Sequence, residues 1–402
     1  MVINAQNILL VGSILLFISI IASKGAHRFG VPVMLLFLGV GMIFGSDGVG
    51  IQFNSAATAQ FVGIIALCFI LFSGGMDTKI QDIKPIIASG IMLSSLGVLL
   101  TTIITGVVIF YITGLVTKFV TLTLAESMLL AAILSSTDSA SVFSILRSKG
   151  LKLKQNISPL LELESGSNDP MAYMITLLLI GVVQAGEMDT TKFIFSFITQ
   201  LGIGAMSGYF LGKIFIFIIK LIKLPRKSQF HIFLFVSVFF AYSFTEKLHG
   251  NGFLAVYLVG LMIGNSNIKQ DKSATYFFDS IAWLCQLVMF LTLGLLVNPS
   301  ELLPVALIGL LISGVMITIS RPTAVFISLL PFKSLTNSAK LYISWVGLKG
   351  AVPIIFATYP LVAGLANSRL MFNIVFFTTI LSLIIQGTTV NIAAQKLKLD
   401  SR

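Results

Sequence analysis

Thirteen runs of apolar residues, each long enough or nearly long enough to cross a bilayer, divide this 402-residue chain and leave little room for anything else. They cover about 7–23, 31–46, 59–76, 85–113, 121–146, 157–184, 193–222, 229–247, 252–265, 280–298, 303–331, 340–364 and 370–395. A helix crossing the roughly 30 Å hydrocarbon layer needs about twenty such residues. Inside lipid every backbone polar group must find its partner within the protein, so repeated long apolar runs dictate a bundle of helices. Hydrophobic residues make up 56% of the sequence and charged residues only 10%, where a soluble domain carries roughly 25%. The expected fold is an all-α polytopic membrane protein of about thirteen transmembrane helices.

The basic residues check that count independently. Of 26 lysines and arginines, nineteen fall in alternate connections on one side, and only Lys118, Lys192, Lys247 and Arg369 fall in the other set. By the positive-inside rule this places the C-terminus in the cytoplasm and, with an odd number of spans, the N-terminus outside, as in a multi-pass protein of the cell (inner) membrane. The net charge of +11 is dispersed among short loops, with no basic face interleaved with aromatics, which excludes nucleic acid as the partner. Cys68 and Cys285 stand alone in apolar runs and suit neither a disulfide framework nor a metal site. Nothing in the sequence calls for a cofactor. The first run has no basic residue before it and no small-residue cleavage site, so it reads as a retained helix.

Three basic residues remain inside spans: Lys213, which can snorkel to a nearby helix end, and Arg321 and Lys349, which have no easy exit. The acids Asp138, Glu162, Glu164 and Asp169 are also intramembrane. Burying such charges is costly, and their presence in a span marks an ion pathway or a relay. The fifth span crowds Ser135, Ser136, Thr137, Asp138, Ser139, Ser141 and Ser144 together. Hydroxyl side chains compete for backbone hydrogen bonds, so the helix is expected to unwind there and expose carbonyl oxygens. Asp138 and Asp169 lie roughly 14 Å and 18 Å from the basic face at about 1.5 Å per residue, so two antiparallel neighbours bring two carboxylates to one level. In residues 161–170, LELESGSNDP, Ser165 and Asp169 are four apart and share a face, and Glu164 and Asn168 share the neighbouring one. Glu162 lies roughly 10 Å nearer the basic end than Asp169, a candidate access residue. Pro170 deprives the Gly166 carbonyl of its helical partner.

Asp169, Ser165, Thr137 and Asp138 therefore cluster hard oxygens suited to an alkali cation or a proton. Glu164 needs a buried cation, for which Arg321 is preferred over Lys349 because its planar fork matches a carboxylate. Lys349, among Gly347, Gly350 and Pro353, marks a second interrupted helix. Broken helices in segments five and twelve, crossing at the midplane, are the signature of an inverted-repeat secondary transporter. A passive cation channel would need a short repeated filter loop, and a non-transporting membrane sensor would need a soluble output domain; the sequence offers neither.

TDSASVFSILRSKGL (137–151), LELESGSNDPMA (161–172), SRP (320–322) and WVGLKGAVPI (345–354) together resemble the monovalent cation/proton antiporters of the NhaP type, potassium/proton subgroup. LFSGGMDT, LAVYLVGLMIGN, FLTLGLLVNPSELLP and IIQGTT extend the resemblance over nearly the whole chain. It implies an exchanger of K+ or Na+, and of Li+ as a further candidate, for H+, working as a homodimer in the lipid bilayer. Close potassium-exchanging relatives carry cytosolic domains after the last helix; here the sequence reads as a single exchanger membrane domain over 1–402 with no cytosolic regulatory domain, which departs from them. Asn168 and Asp169 match the Asn–Asp pair of the electroneutral branch, with Asp169 the cation- and proton-carrying acid. Thr137, Asp138 and Ser165 match residues that help coordinate the cation, and Glu164 and Arg321 match a buried ion pair. Two positions depart from the family. Ser73 stands where many relatives carry an acid, which removes one cation ligand, and Lys349 replaces a more usual arginine.

Overall fold

The computed structural model describes residues 5–29, 32–116, 121–138, 142, 152–222, 226–266 and 272–401. Lys118, Ser139, Ser141 and Ser144 lie outside them. Among the described residues, eight helices are long and apolar enough to cross a membrane and five shorter apolar helices accompany them, one for each of the thirteen expected segments. In chain order, the first three segments are α1 (Ala5–Phe29), α2 (Val33–Phe44) and α3 (Ala56–Asp77). The fourth is built in pieces: α4 (Ile80–Ile83), α5 (Ile87–Met92) and α6 (Val98–Val116). Then follow α7 (Leu124–Ser135), α8 (Ile157–Ala185), α9 (Thr190–Ile222), α10 (Lys227–Lys247), α11 (Gly252–Gly264) and α12 (Lys272–Leu296). The eleventh segment comprises α13 (Leu302–Val315) and α14 (Arg321–Ser328), the twelfth α15 (Asn337–Trp345) and α16 (Ala351–Val362), and the last α17 (Ser368–Lys396). One antiparallel pair of short strands, β1 (Lys152–Leu153) and β2 (Asp400–Ser401), lies outside the bundle.

Segments four to six and eleven to thirteen repeat one pattern. Each set opens on a helix interrupted by a π-turn, Leu93–Gly97 in the first and Met316–Ser320 in the second. The first continues with α7, which stops at Ser135, the second with the broken pair α15 and α16, and each closes on an unbroken helix of 29 residues. The offset of seven segments gives the two sets opposite directions through the bundle, which is an inverted repeat. These helices pack on one another around the crossing, while α1, α2, α3, α10, α11 and α12 form a second group and α9 lies against α11. Small residues set the close approaches in that group. The backbones of Gly41 on α2 and Gly294 on α12 touch, and Gly204, Gly208 and Gly212 of α9 lie against Asn251, Ala255 and Met262 in and before α11.

Hydrogen bonds between connections sort into two ends. At one end β1 meets β2, Gln155 Oε1 accepts from the Thr336 amide at 3.2 Å, and Asn265 Oδ1 accepts from the Ile80 amide at 2.8 Å. At the other end Ser46 Oγ donates to Asn298 at 2.5 Å, Asn367 to Glu126 at 2.8 Å, and Arg369 grips Glu301 at 2.8 and 3.1 Å. The Ser300 amide donates to Asp47 at 2.9 Å and holds that carboxyl below the ordinary carboxylate range. The two sets are those separated by the lysine and arginine alternation.

Candidate functional site

The fifth segment breaks where its serines compete with the backbone. Ser135 Oγ donates back to the Ala132 carbonyl at 2.6 Å in the last turn of α7, and Ser136 turns extended with ψ 145°. Residues 136–138 run on as irregular backbone. In the twelfth segment residues 347–350 do the same between α15 and α16. The two breaks cross and bind one another: the Asp138 amide donates to the Leu348 carbonyl at 2.8 Å, and Lys349 Nζ donates to the Ser136 carbonyl at 2.9 Å. Lys349 thus meets the carbonyl end of α7 while Asp138 faces the amide end of α16, each charge complementing a helix dipole. Glycine makes the crossing feasible at two places. A Cβ on Gly350 would overlap the Asp138 carboxylate, and one on Gly347 would stand 2.8 Å from Arg321 Nε.

The middle of α8 closes over this crossing. Ser136 Oγ donates to Asp169 Oδ1 at 2.5 Å, Ser165 Oγ donates to the Thr137 carbonyl at 3.0 Å, and Asn168 Nδ2 donates to Thr137 Oγ1. Asp138 acts on Asp169 electrostatically through the same small volume. Asp169 is 5% exposed, Lys349 2% and Asn168 fully buried. Asn168 Oδ1 is buried and has no hydrogen-bond partner among the described residues. Glu164 pairs with Arg321, the first residue of α14. The i,i+4 expectation that Asn168 sides with Glu164 is corrected here. Asn168 joins Ser165 on Thr137, because residues three apart on a helix are also neighbours. Pro170 leaves α8 unbroken, and its own carbonyl accepts from Asn251 Nδ2 at 2.6 Å.

Along α8, Glu162 and Ser165 to Ser167 are partly exposed, whereas Asn168 to Thr176 are buried without interruption. Glu162 faces Tyr257 of α11. Ser73, the position lacking an acid, donates to Asp279 Oδ1 at 2.9 Å, so α12 supplies a carboxylate beside it.

A brace behind the crossing holds it from the side of α17. The Lys349 amide donates to Ser382 Oγ at 2.9 Å, Ser382 to Gln386 at 2.6 Å, and Gln386 Nε2 to the Trp345 carbonyl at 2.7 Å. Its signal in the sequence is a glutamine in the middle of the last apolar run.

The family profile described as "Sodium/hydrogen exchanger, transmembrane" matches residues 13–396. The chain is 43% identical over 396 residues to the K(+)/H(+) antiporter NhaP of Alkalimonas amylolytica, the match covering 98% of this chain and 67% of that relative. It is 39% identical over 400 residues to the K(+)/H(+) antiporter NhaP2 of Shewanella sp. (strain ANA-3), covering 99% and 68%. Its fold superimposes on the sodium proton antiporter MjNhaP1 from Methanocaldococcus jannaschii with a TM-score of 0.82 at 23% identity, covering 96% of this chain and 97% of that one. The chain belongs to the sodium/hydrogen exchanger family of transmembrane proteins.

Proposed function

We propose that the protein is a secondary antiporter that exchanges one monovalent cation for one proton at Asp169, with no covalent chemistry. The observation that carries this reading is a buried carboxylate where the breaks in segments five and twelve cross, beside a buried Asn168 acceptor that has no partner among the described residues. Ionised Asp169, with Asp138, Ser165, Thr137 and Asn168 around it, binds the cation on one side of the membrane. On the other side the cation leaves and a proton takes its place. The site crosses only when neutralised by one or the other, since a bare carboxylate in a low-dielectric core is too costly. Asn168 adds no titrating charge, which suits a one-for-one, electroneutral exchange. Glu164 and Arg321 hold the two repeats together without touching the cation. Glu162 is the access residue, and Lys349 fixes the break in the twelfth segment.

The basic end of the bundle is the cytoplasmic one in this reading, so the partly exposed start of α8 faces the cytoplasm, with the N-terminus outside and the protein in the cell membrane. Residues 1–402 act as one exchanger unit, paired as a homodimer. The relatives' names make potassium the first cation to test, with sodium and lithium beside it. In proteoliposomes with an imposed pH gradient, added cation should collapse the gradient at a rate insensitive to a clamped membrane potential. A rate that scales with voltage contradicts the one-for-one exchange, and a gradient that survives all three cations contradicts the exchange itself.

A further inference from the structure

Beyond Asp169, toward the Ala185 end of α8, stands a second polar cluster that the exchange mechanism does not use. Tyr173 is one turn past Asp169 on the same face. Its hydroxyl faces those of Tyr242 on α10 and Tyr359 on α16 and meets the carboxylate of Glu246, one turn beyond Tyr242. Aromatic rings enclose the group: Tyr173 lies 4.8 Å from Phe253 and 5.5 Å from Tyr359 between centroids, and Tyr242 lies 5.0 Å from Phe253. Glu246 Oε1 accepts from the Gly252 amide at 2.9 Å. The turn between α10 and α11 sits deep in the bundle, since Asn251 within it reaches the Pro170 carbonyl next to Asp169.

Two features of the cluster call for a cation. Glu246 is partly buried, yet among the described residues it forms no ion pair. Tyr359 Oη is buried and faces the Tyr173 hydroxyl, yet among the described residues it forms no well-aligned hydrogen bond. A single carboxylate, three phenol oxygens and flanking ring faces together suit one singly charged hard cation.

We infer that Glu246, with the hydroxyls of Tyr173, Tyr242 and Tyr359, forms a second alkali-cation site on the outer side of Asp169, where the ion halts between the external solution and the exchange site. This rests on the proposed orientation and exchange. The cluster also joins the two helix groups, α8 and α16 from one and α10 and α11 from the other, so a plain structural staple is the alternative.

Right-side-out and inside-out vesicles carrying the full chain separate the two. Glu246→Gln keeps an acceptor for the Gly252 amide but removes the charge. The apparent KM for potassium should rise at the outer face on the order of tenfold, the effect of about 1.4 kcal/mol of lost attraction. It should stay within about twofold at the inner face, and Glu246→Asp should recover most of the outer-face loss. An equal change at both faces, no change at either, or a lowered melting temperature with both KM values intact would overturn the site and leave the exchange standing. Absence of potassium-driven exchange in the unsubstituted protein would overturn the exchange and the site with it.

Discussion

Glu164 and Arg321 show how a charged residue survives in the middle of a bilayer, by taking a counter-charge with it. Both are almost completely buried and bound to each other across 157 positions of sequence. Their association was legible because a buried carboxylate demands a cation and the guanidinium fork fits one better than an ammonium does. What became of the unchosen Lys349 was not legible, since its partner is a backbone carbonyl exposed only by the break in segment five. Removing one member of such a buried pair leaves the other uncompensated and typically costs about 3–5 kcal/mol. Glu164→Gln and Arg321→Gln should therefore each lower the melting temperature far more than they alter cation KM. The double variant should lose much less than the sum of the two. A double-mutant cycle on thermal unfolding checks this, and strictly additive losses would show that the pair is not coupled.

At the scale of elements, the two breaks were written in composition and the π-turns were not. The run from Ser135 to Asp138 and the glycines at 347 and 350 announce interruptions because hydroxyls back-bond to carbonyls and glycine resists helix. The sequences of the π-turns, LSSLG and MITIS, carry no comparable signal, because one extra residue in a helical turn is fixed by how neighbouring helices pack. Nor could sequence show that Gly350 is the floor on which Asp138 rests. Gly350→Ala should force the crossing apart. Overpacking of this kind costs about 1–3 kcal/mol, and exchange should fall well below its wild-type rate even where the protein still reaches the membrane folded. Flux from Gly350→Ala proteoliposomes tests this; a wild-type rate would show that Asp138 need not occupy that position.

Across the whole molecule, hydropathy and basic-residue alternation recovered all thirteen segments and the sorting of connections into two ends. The grouping of helices around the crossing was beyond them, because in lipid every helix surface is apolar whether it meets protein or acyl chains. The grouping matters because the site on α8 touches both sets: the breaks in segments five and twelve on one side and the turn before α11 on the other. Such a site can be offered first to one end and then to the other if the groups move past each other. In the proposed exchange, cation and proton compete for Asp169 itself. The most direct test is the pH dependence of the apparent cation KM, measured in proteoliposomes with the maximal rate followed in parallel. Lower pH protonates the carboxylate, so KM should rise by up to about tenfold per pH unit, the limit for one proton per site. The maximal rate should hold, and Asp169→Asn should show no exchange at any pH. A KM that does not change with pH, or normal flux through the folded Asp169→Asn protein, would contradict the account.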